Sequence, residues 1–523
     1  MTRRLKLLVG AAPAVLLGAC ASFGGEAMMV TPEPAAFVAA GTPCQAAPDS
    51  AACASVHDLY ARASVGEAPA QHQLANVYLS QPDGGRNSAL ALRWYTAAAR
   101  QQEPASLYAL GYMHEQGIGV TADAAKAAKQ YLAAAERGST DAQVNLGAMY
   151  EEGLGVPQDF AQAAHWYQMA AAGGHPHALT NLARLHDAGR GVPANPREAV
   201  ALYRRAAEAG NVEAQHRLAD ALVAGRGVPA DPAEARRWYK AAADQGDTEA
   251  ATRLAMMIAN GDGGANDAPT AVALLLPLAE QGHGQAQFAL GQVYRDAPER
   301  PALLQFSSTE GATADYQPSF TWTWSADGRT GGAIPDSAHA PAPVQVASVS
   351  REAAPSNAVY RDDVQALRWI GSAARQGLPD AALALGLMLY EGRGGDPDLA
   401  GAAHWYKQAA DQGLAVAQAN LGLLHFFGRG VDKDPAVAAQ WFARAAEQND
   451  PVGLFNLGTL TLRGEGTVAD IPAGASLIAR AADQDYAPAQ MALASLHEHG
   501  VGVARDPRLA AYWRSRAGTP ENR

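Results

Sequence analysis

The sequence predicts an all-α solenoid of repeated αα-hairpins, interrupted by one long irregular insertion. The main observation is a leucine that recurs every 36 residues, with one longer interval. These leucines are Leu74, Leu110, Leu146, Leu182, Leu218, Leu254, Leu290, Leu385, Leu421, Leu457 and Leu493. The interval from Leu290 to Leu385 is 95 residues, one period plus an insertion of 59. A fixed period of this length is typical of stacked supersecondary units rather than of a compact globule.

The leucine marks the first helix of each repeat. Around Leu146 the apolar residues recur at helical spacing, and glycines then end the helix. A glycine seven residues after the leucine predicts a left-handed C-terminal cap, and a second glycine follows two residues later. The first glycines are Gly117, Gly153, Gly189, Gly225, Gly261, Gly392, Gly428, Gly464 and Gly500. The residue after each leucine is Gly or Ala, which predicts that the helices approach closely.

The second helix begins at a residue that is always Asn or Asp, thirteen positions after the leucine. These residues are Asn87, Asp123, Asp159, Asn195, Asp231, Asp267, Asp362, Asp398, Asp434, Asp470 and Asp506. A short side-chain acceptor at this place predicts an N-cap rather than a series of catalytic carboxylates. Seven tryptophans also share one position, and we expect them to be buried between the helices. They are Trp94, Trp166, Trp238, Trp369, Trp405, Trp441 and Trp513.

The repeat resembles a known family. The pattern Ala142-x3-Leu146-Gly147-x2-Tyr150-x2-Gly153-x-Gly155-Val156, followed by Ala163-x2-Trp166-Tyr167-x2-Ala170-Ala171, is similar to Sel1-like repeats, relatives of tetratricopeptide repeats. The resemblance covers about residues 54–296 and 361–517. It implies αα-hairpins stacked into a right-handed superhelix, and an adaptor whose concave face is lined by the first helix of each pair. Some cysteine-rich Sel1-like proteins are linked to β-lactam binding, but these repeats contain no cysteine.

Residues 1–19 predict a lipoprotein signal peptide. Three basic residues precede an apolar segment that is too short for a stable membrane anchor. The sequence Leu17-Gly18-Ala19-Cys20 resembles the lipobox of bacterial lipoproteins, which implies that Cys20 is acylated. An ordinary secretory signal with a chance cysteine is the alternative. Because Ala21 is not Asp, we expect an outer-membrane lipoprotein that faces the periplasm, with the inner membrane as the less favoured alternative.

Residues 20–53 are rich in small residues and Pro and predict a flexible tether between the membrane and the repeats. Cys44 and Cys53 are a matched pair in an oxidising compartment, so we predict a disulfide between them; two free thiols are the alternative. Removing the signal deletes three basic residues and no acidic one, which changes the formal charge from −12 to −15. Such an acidic, exported chain is a poor candidate for nucleic-acid binding.

Residues 297–360 form the insertion, which we predict to be largely disordered and to lie between the paired helices of the seventh repeat. Within it Phe320, Trp322 and Trp324 alternate, so they would share one face of a strand. The segment is either a disordered loop with an adhesive patch or a docking element for a partner protein or polysaccharide strand. At the other end of the chain, residues 518–523 form a polar tail.

No pattern of catalytic residues emerges. Four histidines, His114, His186, His425 and His497, share a position with tyrosines of other repeats, which indicates packing and hydrogen bonding rather than metal binding. The sequence contains no nucleophile elbow, P-loop or zinc-protease motif, so we predict no catalytic, cofactor-binding or metal-binding residue.

The predicted function is therefore a membrane-anchored periplasmic scaffold that binds other envelope proteins. Similarity to scaffold lipoproteins of exopolysaccharide export makes export or assembly of such a polymer one hypothesis, with polysaccharide contact as part of it. A periplasmic regulator that binds a sensor protein, and a cell-wall or β-lactam-acting enzyme, are the alternatives.

Overall fold

A computed structural model describes residues 51–80, 85–299 and 358–518, and these residues form 23 α-helices and no β-strand. We number the repeats 1 to 11 by their leucines, and call the leucine-bearing helix of each repeat its A-helix and the next its B-helix. The A-helices are α2 (Ala68–Leu79), α4 (Pro104–Gln116), α6 (Thr140–Glu152), α8 (Pro176–Ala188), α10 (Val212–Ala224), α12 (Thr248–Asn260), α14 (Gly284–Asp296), α16 (Pro379–Glu391), α18 (Ala415–Phe427), α20 (Pro451–Arg463) and α22 (Ala487–His499). The B-helices are α3 (Gly85–Arg100), α5 (Ala124–Ala135), α7 (Phe160–Ala172), α9 (Pro196–Glu208), α11 (Pro232–Asp244), α13 (Ala268–Glu280), α15 (Asp363–Arg375), α17 (Leu399–Asp411), α19 (Pro435–Glu447), α21 (Ile471–Ala482) and α23 (Pro507–Ala517). Before them, α1 (Ala51–Ser64) packs against α2 and takes the place of the B-helix of a partial repeat.

The helices pack in the order of the chain within two compact units. Unit 1 ends at Asn266 and unit 2 begins at Asp267. Within each unit every A-helix packs against the B-helix that follows it, and every B-helix packs against the next A-helix. The prediction of an all-helical array of hairpins is confirmed. None of the described helices is long and apolar enough to cross a membrane.

The glycines end the A-helices as predicted. All nine C-cap glycines adopt the left-handed conformation; Gly153, for example, has φ 73°. The second glycine also has positive φ and touches the backbone of the preceding B-helix. At Gly191, with φ 69°, an added Cβ would lie 2.1 Å from the carbonyl oxygen of Phe160. Close approach of backbone to backbone therefore explains why this position admits no side chain.

The Asp and Asn residues cap the B-helices at ten of the eleven positions. Asp159, for example, accepts hydrogen bonds from the backbone N–H groups of Ala161 and Gln162. The prediction is wrong at Asn87. Helix α3 already begins at Gly85, so Asn87 lies inside the helix, where its side chain is buried. An N-cap residue must precede the helical backbone, and the earlier start of α3 removes that role.

The tryptophans are not the main residues between the helices. Trp94, Trp369 and Trp513 are buried, but the other four are half-buried. In ten of the eleven B-helices the fully buried residue is the next one along the helix, such as Tyr131 or Tyr167; in α23 that position is the exposed Arg514. The members of this column are Tyr95, Tyr131, Tyr167, Tyr203, Tyr239, Leu275, Ile370, Tyr406, Phe442 and Ile478. The four half-buried indoles lie at the edge of the contact between the helices, and this column fills its centre.

Several predicted features lie outside the described residues: Cys20, Cys44, the segment 300–357 with Phe320, Trp322 and Trp324, and residues 519–523. Cys53 lies in the first turn of α1. The proposed disulfide, the acylation site and the docking element therefore remain predictions.

Candidate interaction surface

Three positions of each A-helix form one face, which we call the A-face; its residues are exposed or half-exposed except Thr180 and Ala419, which are buried. They lie two residues before the leucine and two and five residues after it. Spacings of four and three residues place side chains on the same side of a helix. The packing positions keep their residue type from repeat to repeat, whereas the A-face positions change. The hairpin fold therefore does not determine the residue types of the A-face.

In repeats 3 to 5 of unit 1, six of the nine A-face residues are polar or charged. The nine are Val144, Ala148, Glu151, Thr180, Arg184, Asp187, His216, Asp220 and Val223. Among their carboxylates, Glu151 accepts the most hydrogen bonds. Arg184 of the next repeat donates to both of its oxygens, at 2.7 and 2.9 Å, and the hydroxyl of Tyr167 donates to it at 3.1 Å. This fork geometry joins repeats 3 and 4 across their A-helices.

Similar pairs continue along unit 1. Asp187 lies 3.0 Å from a guanidinium nitrogen of Arg226 in the following repeat. Asp220 accepts a hydrogen bond from the hydroxyl of Tyr239 at 2.6 Å and lies 3.6 Å from Arg253 of repeat 6. The side chain of Arg253 is still 49% exposed, so its guanidinium keeps hydrogen-bonding capacity toward solvent. The face is internally balanced in charge but remains polar and accessible.

A groove of about 610 Å³ crosses repeats 4 to 6 on this side of unit 1. Its lining includes His177, Asn211, His216, Arg217, Asp247 and Arg253. Nδ1 of His216 lies 2.8 Å from Oδ2 of Asp247. Burial tends to raise the pKa of Asp247, but hydrogen bonds from the backbone N–H groups of Ala250 and Glu249 and from His216 outweigh it and lower that pKa. Burial lowers the pKa of His177, and the neighbouring His175 adds to this effect.

The A-face of unit 2 has the opposite chemistry. In repeats 8 to 10, eight of the nine equivalent residues are apolar, and Thr459 is the exception. We call this surface the apolar face. It is defined by seven of these residues, Leu383, Leu387, Tyr390, Leu423, Phe426, Phe455 and Leu462, together with Phe427, which follows Phe426. The eighth, Ala419, is buried. Leu387 is 42% exposed and Phe427 is 56% exposed. The A-helices of repeats 9 and 10 contact each other directly, so the apolar residues of the two repeats are neighbours.

Sequence reasoning missed these A-face residues. It identified the positions that repeat, and the A-face is defined by positions that do not. A usable signal was present, because the three positions change from mostly polar or charged in repeats 3 to 5 to mostly apolar in repeats 8 to 10, while the leucine, glycine and N-cap positions stay constant. The histidine column is only partly hydrogen-bonded: Nδ1 of His114 lies 2.8 Å from the carbonyl oxygen of Leu110, whereas Nδ1 of His186 and of His425 is buried without a partner in the described part of the chain.

A comparison with protein families gives a match to the Sel1 repeat at eleven places. They are residues 68–103, 104–139, 140–175, 176–211, 212–247, 248–283, 356–378, 379–414, 415–450, 451–486 and 487–518. The chain belongs to the Sel1-repeat family. The matches omit helix α14 of repeat 7, which the structure nevertheless shows as an ordinary A-helix. Sel1-repeat proteins generally mediate protein–protein interactions.

Two solved structures are similar to this Sel1-repeat chain. A protective antigen present in uropathogenic Escherichia coli strains, which displays an SLR fold, is 29% identical and has a TM-score of 0.59; the match covers 89% of this chain and 87% of that chain. A Sel1 repeat protein from Oxalobacter formigenes is 32% identical, with a TM-score of 0.39, over 43% of this chain and 88% of that chain. No curated protein matches the chain.

Proposed function

We propose that this Sel1-repeat chain is a scaffold of the bacterial envelope, anchored by acylated Cys20 and binding other envelope proteins through its A-faces. The observation that carries the proposal is the contrast between constant and variable positions. Leucine, glycine and N-cap positions repeat because the hairpin requires them. Most A-face positions are exposed or half-exposed, and their chemistry changes along the chain, as expected of a surface that is adapted to partners.

The groove of unit 1 favours a polar protein partner. Arg217 and Arg253 line the groove and are about half exposed, at 50% and 49%; Arg217 lies 3.9 Å from Glu213, and Arg253 lies 3.6 Å from Asp220. An incoming backbone or carboxylate group can accept hydrogen bonds from these guanidinium groups, which present several donors in a planar fork. A surface that mixes both charge signs gives specificity through complementarity rather than through net charge.

The lipobox-like sequence that ends at Cys20 supports the envelope location. The description of the similar E. coli structure as a protective antigen also fits an exported protein. Two or three acyl chains, at about 0.8 kcal/mol for each buried CH₂, would hold the chain at a membrane. The Sel1-repeat scaffold family is mostly non-enzymatic, which supports binding rather than catalysis. Within this function we propose participation in exopolysaccharide export or assembly.

Radiolabelled palmitate tests the anchor. Label should enter the wild-type chain, and Cys20→Ala should lose the label and leave the membrane fraction. Retention of label by the Cys20→Ala variant, or no label in the wild type, would contradict the anchor. A strain without the chain should show reduced secretion of an envelope polymer, and normal secretion of every polymer would refute the export role.

Photocrosslinking tests the binding surface. A photoreactive amino acid at Arg217, on the A-helix of repeat 5, should give discrete crosslinks to envelope proteins in intact cells. The matched control is Lys240, an exposed residue on the B-helix of the same repeat. Crosslinks at Arg217 and not at Lys240 support the proposal. Equal crosslinking at both positions, or none at either, would exclude the groove of unit 1, which Arg217 lines, as the binding surface.

A further inference from the structure

One arginine of unit 2 contacts the apolar face. Arg429 is exposed and follows the leucine of repeat 9 by eight residues, in the loop between the two helices. Its guanidinium contacts the hydroxyl of Tyr390 in repeat 8, and the central carbon of that group lies 5.4 Å from the centre of the Phe427 ring. Both aromatic residues belong to the apolar face. A positive charge with several hydrogen-bond donors therefore lies at the margin of this uncharged surface.

The equivalent arginine of repeat 5 in unit 1 has a carboxylate at this place. Arg226 also follows its leucine by eight residues, and it lies 3.0 Å from Asp187. Asp187 and Tyr390 occupy the same position of the preceding repeat, five residues after the leucine. Tyrosine thus replaces aspartate beside Arg429, and no carboxylate of the described residues forms an ion pair with it. The repeat leaves Arg429 without the counter-charge that Arg226 has.

The apolar face has about the width of one helix. Along an A-helix its positions span seven residues, from Leu383 to Tyr390 in repeat 8. At 1.5 Å per residue this is about 10 Å, and a helix with its side chains is about 10–12 Å across. In the other direction the face covers the A-helices of three repeats, and packed helices lie about 8–10 Å apart. About three turns of a helix laid across the A-helices would cover the face.

We infer that the apolar face binds an amphipathic helix of a partner protein, and that Arg429 pairs with a carboxylate beside the apolar stripe of that helix. The inference rests on the function proposed above and names the chemistry of one partner. Leu387 and Phe427, which are 42% and 56% exposed, supply apolar surface to bury, as exposed patches of this kind do at binding sites. The carboxylate of the partner takes the role that Asp187 has beside Arg226 in unit 1.

A second copy of the chain fits this surface less well. In a two-fold dimer the same patch meets itself. None of the residues that define the apolar face is acidic, so an identical patch would bring no carboxylate to Arg429. Burying a guanidinium without a counter-charge costs free energy. A partner that carries its own acidic residue satisfies both the apolar surface and the charge.

Two model peptides test the inference on the soluble chain of residues 20–523. Each has about 15 residues with leucines at helical spacing; one has glutamates beside the leucine stripe and the other has glutamines. The chain is acidic, with a formal charge of −15 without its signal, so its overall field disfavours the glutamate peptide. We nevertheless expect that peptide to bind about fivefold more tightly, because it pairs with Arg429. Equal binding, tighter binding of the glutamine peptide, or binding of neither would overturn the inference.

Charge variants locate the preference. Arg429→Gln should abolish the preference for the glutamate peptide, whereas Arg444→Gln should preserve it. Arg444 is the matched control because it is an exposed arginine of the same repeat that lies 4.5 Å from an aromatic ring, that of Trp441, but on the B-helix. Tyr390→Asp should also reduce the preference, since it supplies the carboxylate found in unit 1, and the uncharged Tyr390→Asn should not. A preference that survives Arg429→Gln, or that Arg444→Gln removes equally, would contradict the role of Arg429.

A last variant tests the apolar face itself. Leu387→Asp/Phe427→Asp should abolish binding of both peptides; both residues are exposed, so the helices should keep their fold, which circular dichroism checks. Binding that persists in this variant would place the peptides elsewhere and overturn the inference. It also fails if sedimentation shows a dimer of the intact chain that the double substitution dissociates, because a second copy then occupies the face. None of these results changes the crosslinking expected at Arg217, so the inference and the proposed function can fail separately.

Discussion

Tyr167 lies so close to Gly147 that a Cβ on the glycine would be 2.6 Å from the tyrosine ring. The same relation joins Gly111 to Tyr131, also at 2.6 Å. In these repeats the tyrosine hydroxyl donates to a glutamate five residues after the leucine, Glu151 or Glu115. In repeat 5, where Ala219 replaces the glycine, Tyr239 donates instead to Asp220, two residues after the leucine. The residue after the leucine, Gly or Ala, therefore changes together with the position that accepts the hydrogen bond of the tyrosine hydroxyl.

Gly147→Ala should destabilise unit 1 by about 1–3 kcal/mol, because the new methyl group forces the buried Tyr167 ring to move in a packed core. Urea unfolding followed by circular dichroism measures the loss. Gly371→Ala is the control, since the nearest atom to its added Cβ lies at 3.5 Å. This second change should be neutral or stabilising by up to about 1 kcal/mol, as helix propensity favours alanine. Equal losses for both variants would show that ring contact is not the cause.

In every second repeat a buried glutamine of the A-helix forms a hydrogen bond with the preceding helix. Gln143 Nε2, for example, donates to the carbonyl oxygen of Ala135 at 3.1 Å. In four repeats a second glutamine donates to the oxygen of the first: Gln101 to Gln71, Gln245 to Gln215, Gln376 to Gln287 and Gln448 to Gln418. In repeat 3 the second position is Gly173, and Oε1 of Gln143 is buried without a partner among the described residues.

Gly173→Gln should therefore stabilise unit 1 by about 1 kcal/mol through the restored hydrogen bond, in addition to the gain from removing a glycine. Gly173 has φ −78°, which any residue adopts, and the nearest atom to an added Cβ, the carbonyl oxygen of Ala170, lies at 3.4 Å, an ordinary contact distance. Gly173→Ala is the matched control because it gives the backbone gain alone. The unfolding midpoint in urea should rise in the order wild type, alanine variant, glutamine variant. A glutamine variant no more stable than the alanine variant would contradict the hydrogen-bond argument.

The contact between Glu151 and Arg184 should couple repeats 3 and 4. In a double-mutant cycle with Glu151→Gln and Arg184→Met, we expect a coupling free energy of roughly 1 kcal/mol, because Glu151 is only 11% exposed and receives a bidentate contact. The exposed pair Lys240 and Asp244 is the control, with side chains 64% and 62% exposed. Its coupling should be about 0.3–0.5 kcal/mol. Similar coupling in both cycles would mean that the inter-repeat contact adds nothing beyond a surface ion pair.

The sequence predicts the repeat well because its requirements are local. A left-handed glycine such as Gly153, or an N-cap such as Asp159, is needed for each hairpin regardless of what surrounds it. The burial of Tyr167 rather than Trp166 could not be predicted in the same way. Adjacent residues of a helix point about 100° apart, and only the position of the neighbouring A-helix decides which of the two aromatic rings is covered.

The A-face was harder to predict for a different reason. Residues such as Arg184 and Leu387 occupy comparable positions, two residues after the leucine, yet one lies in a charged network and the other on an apolar surface. Their roles depend on neighbours one repeat away and on partners outside the chain. A search for recurring residues does not find these positions, because a binding surface gains specificity from residues that differ between repeats.

Two histidines should make unit 1 less stable in mild acid. Burial lowers the pKa of His72 below its ordinary value despite the nearby Glu103, and burial together with His175 lowers the pKa of His177. Since both groups have lower pKa values in the folded state, the unfolded state binds more protons as the pH falls below about 6.5. Their contribution to stability is complete above that pH and is lost as the pH falls toward their folded pKa values.

A His72→Gln/His177→Gln variant should therefore lose less stability than the wild type between pH 7.5 and 5.5. Urea unfolding at several pH values measures this difference. Glu115 and Glu152 act in the opposite direction, because burial raises their pKa and their protonation at lower pH favours the folded state. Both glutamates are present in the wild type and in the variant, so the difference between the two proteins isolates the histidines. Parallel stability curves would show that neither imidazole carries a folding-linked proton in this range.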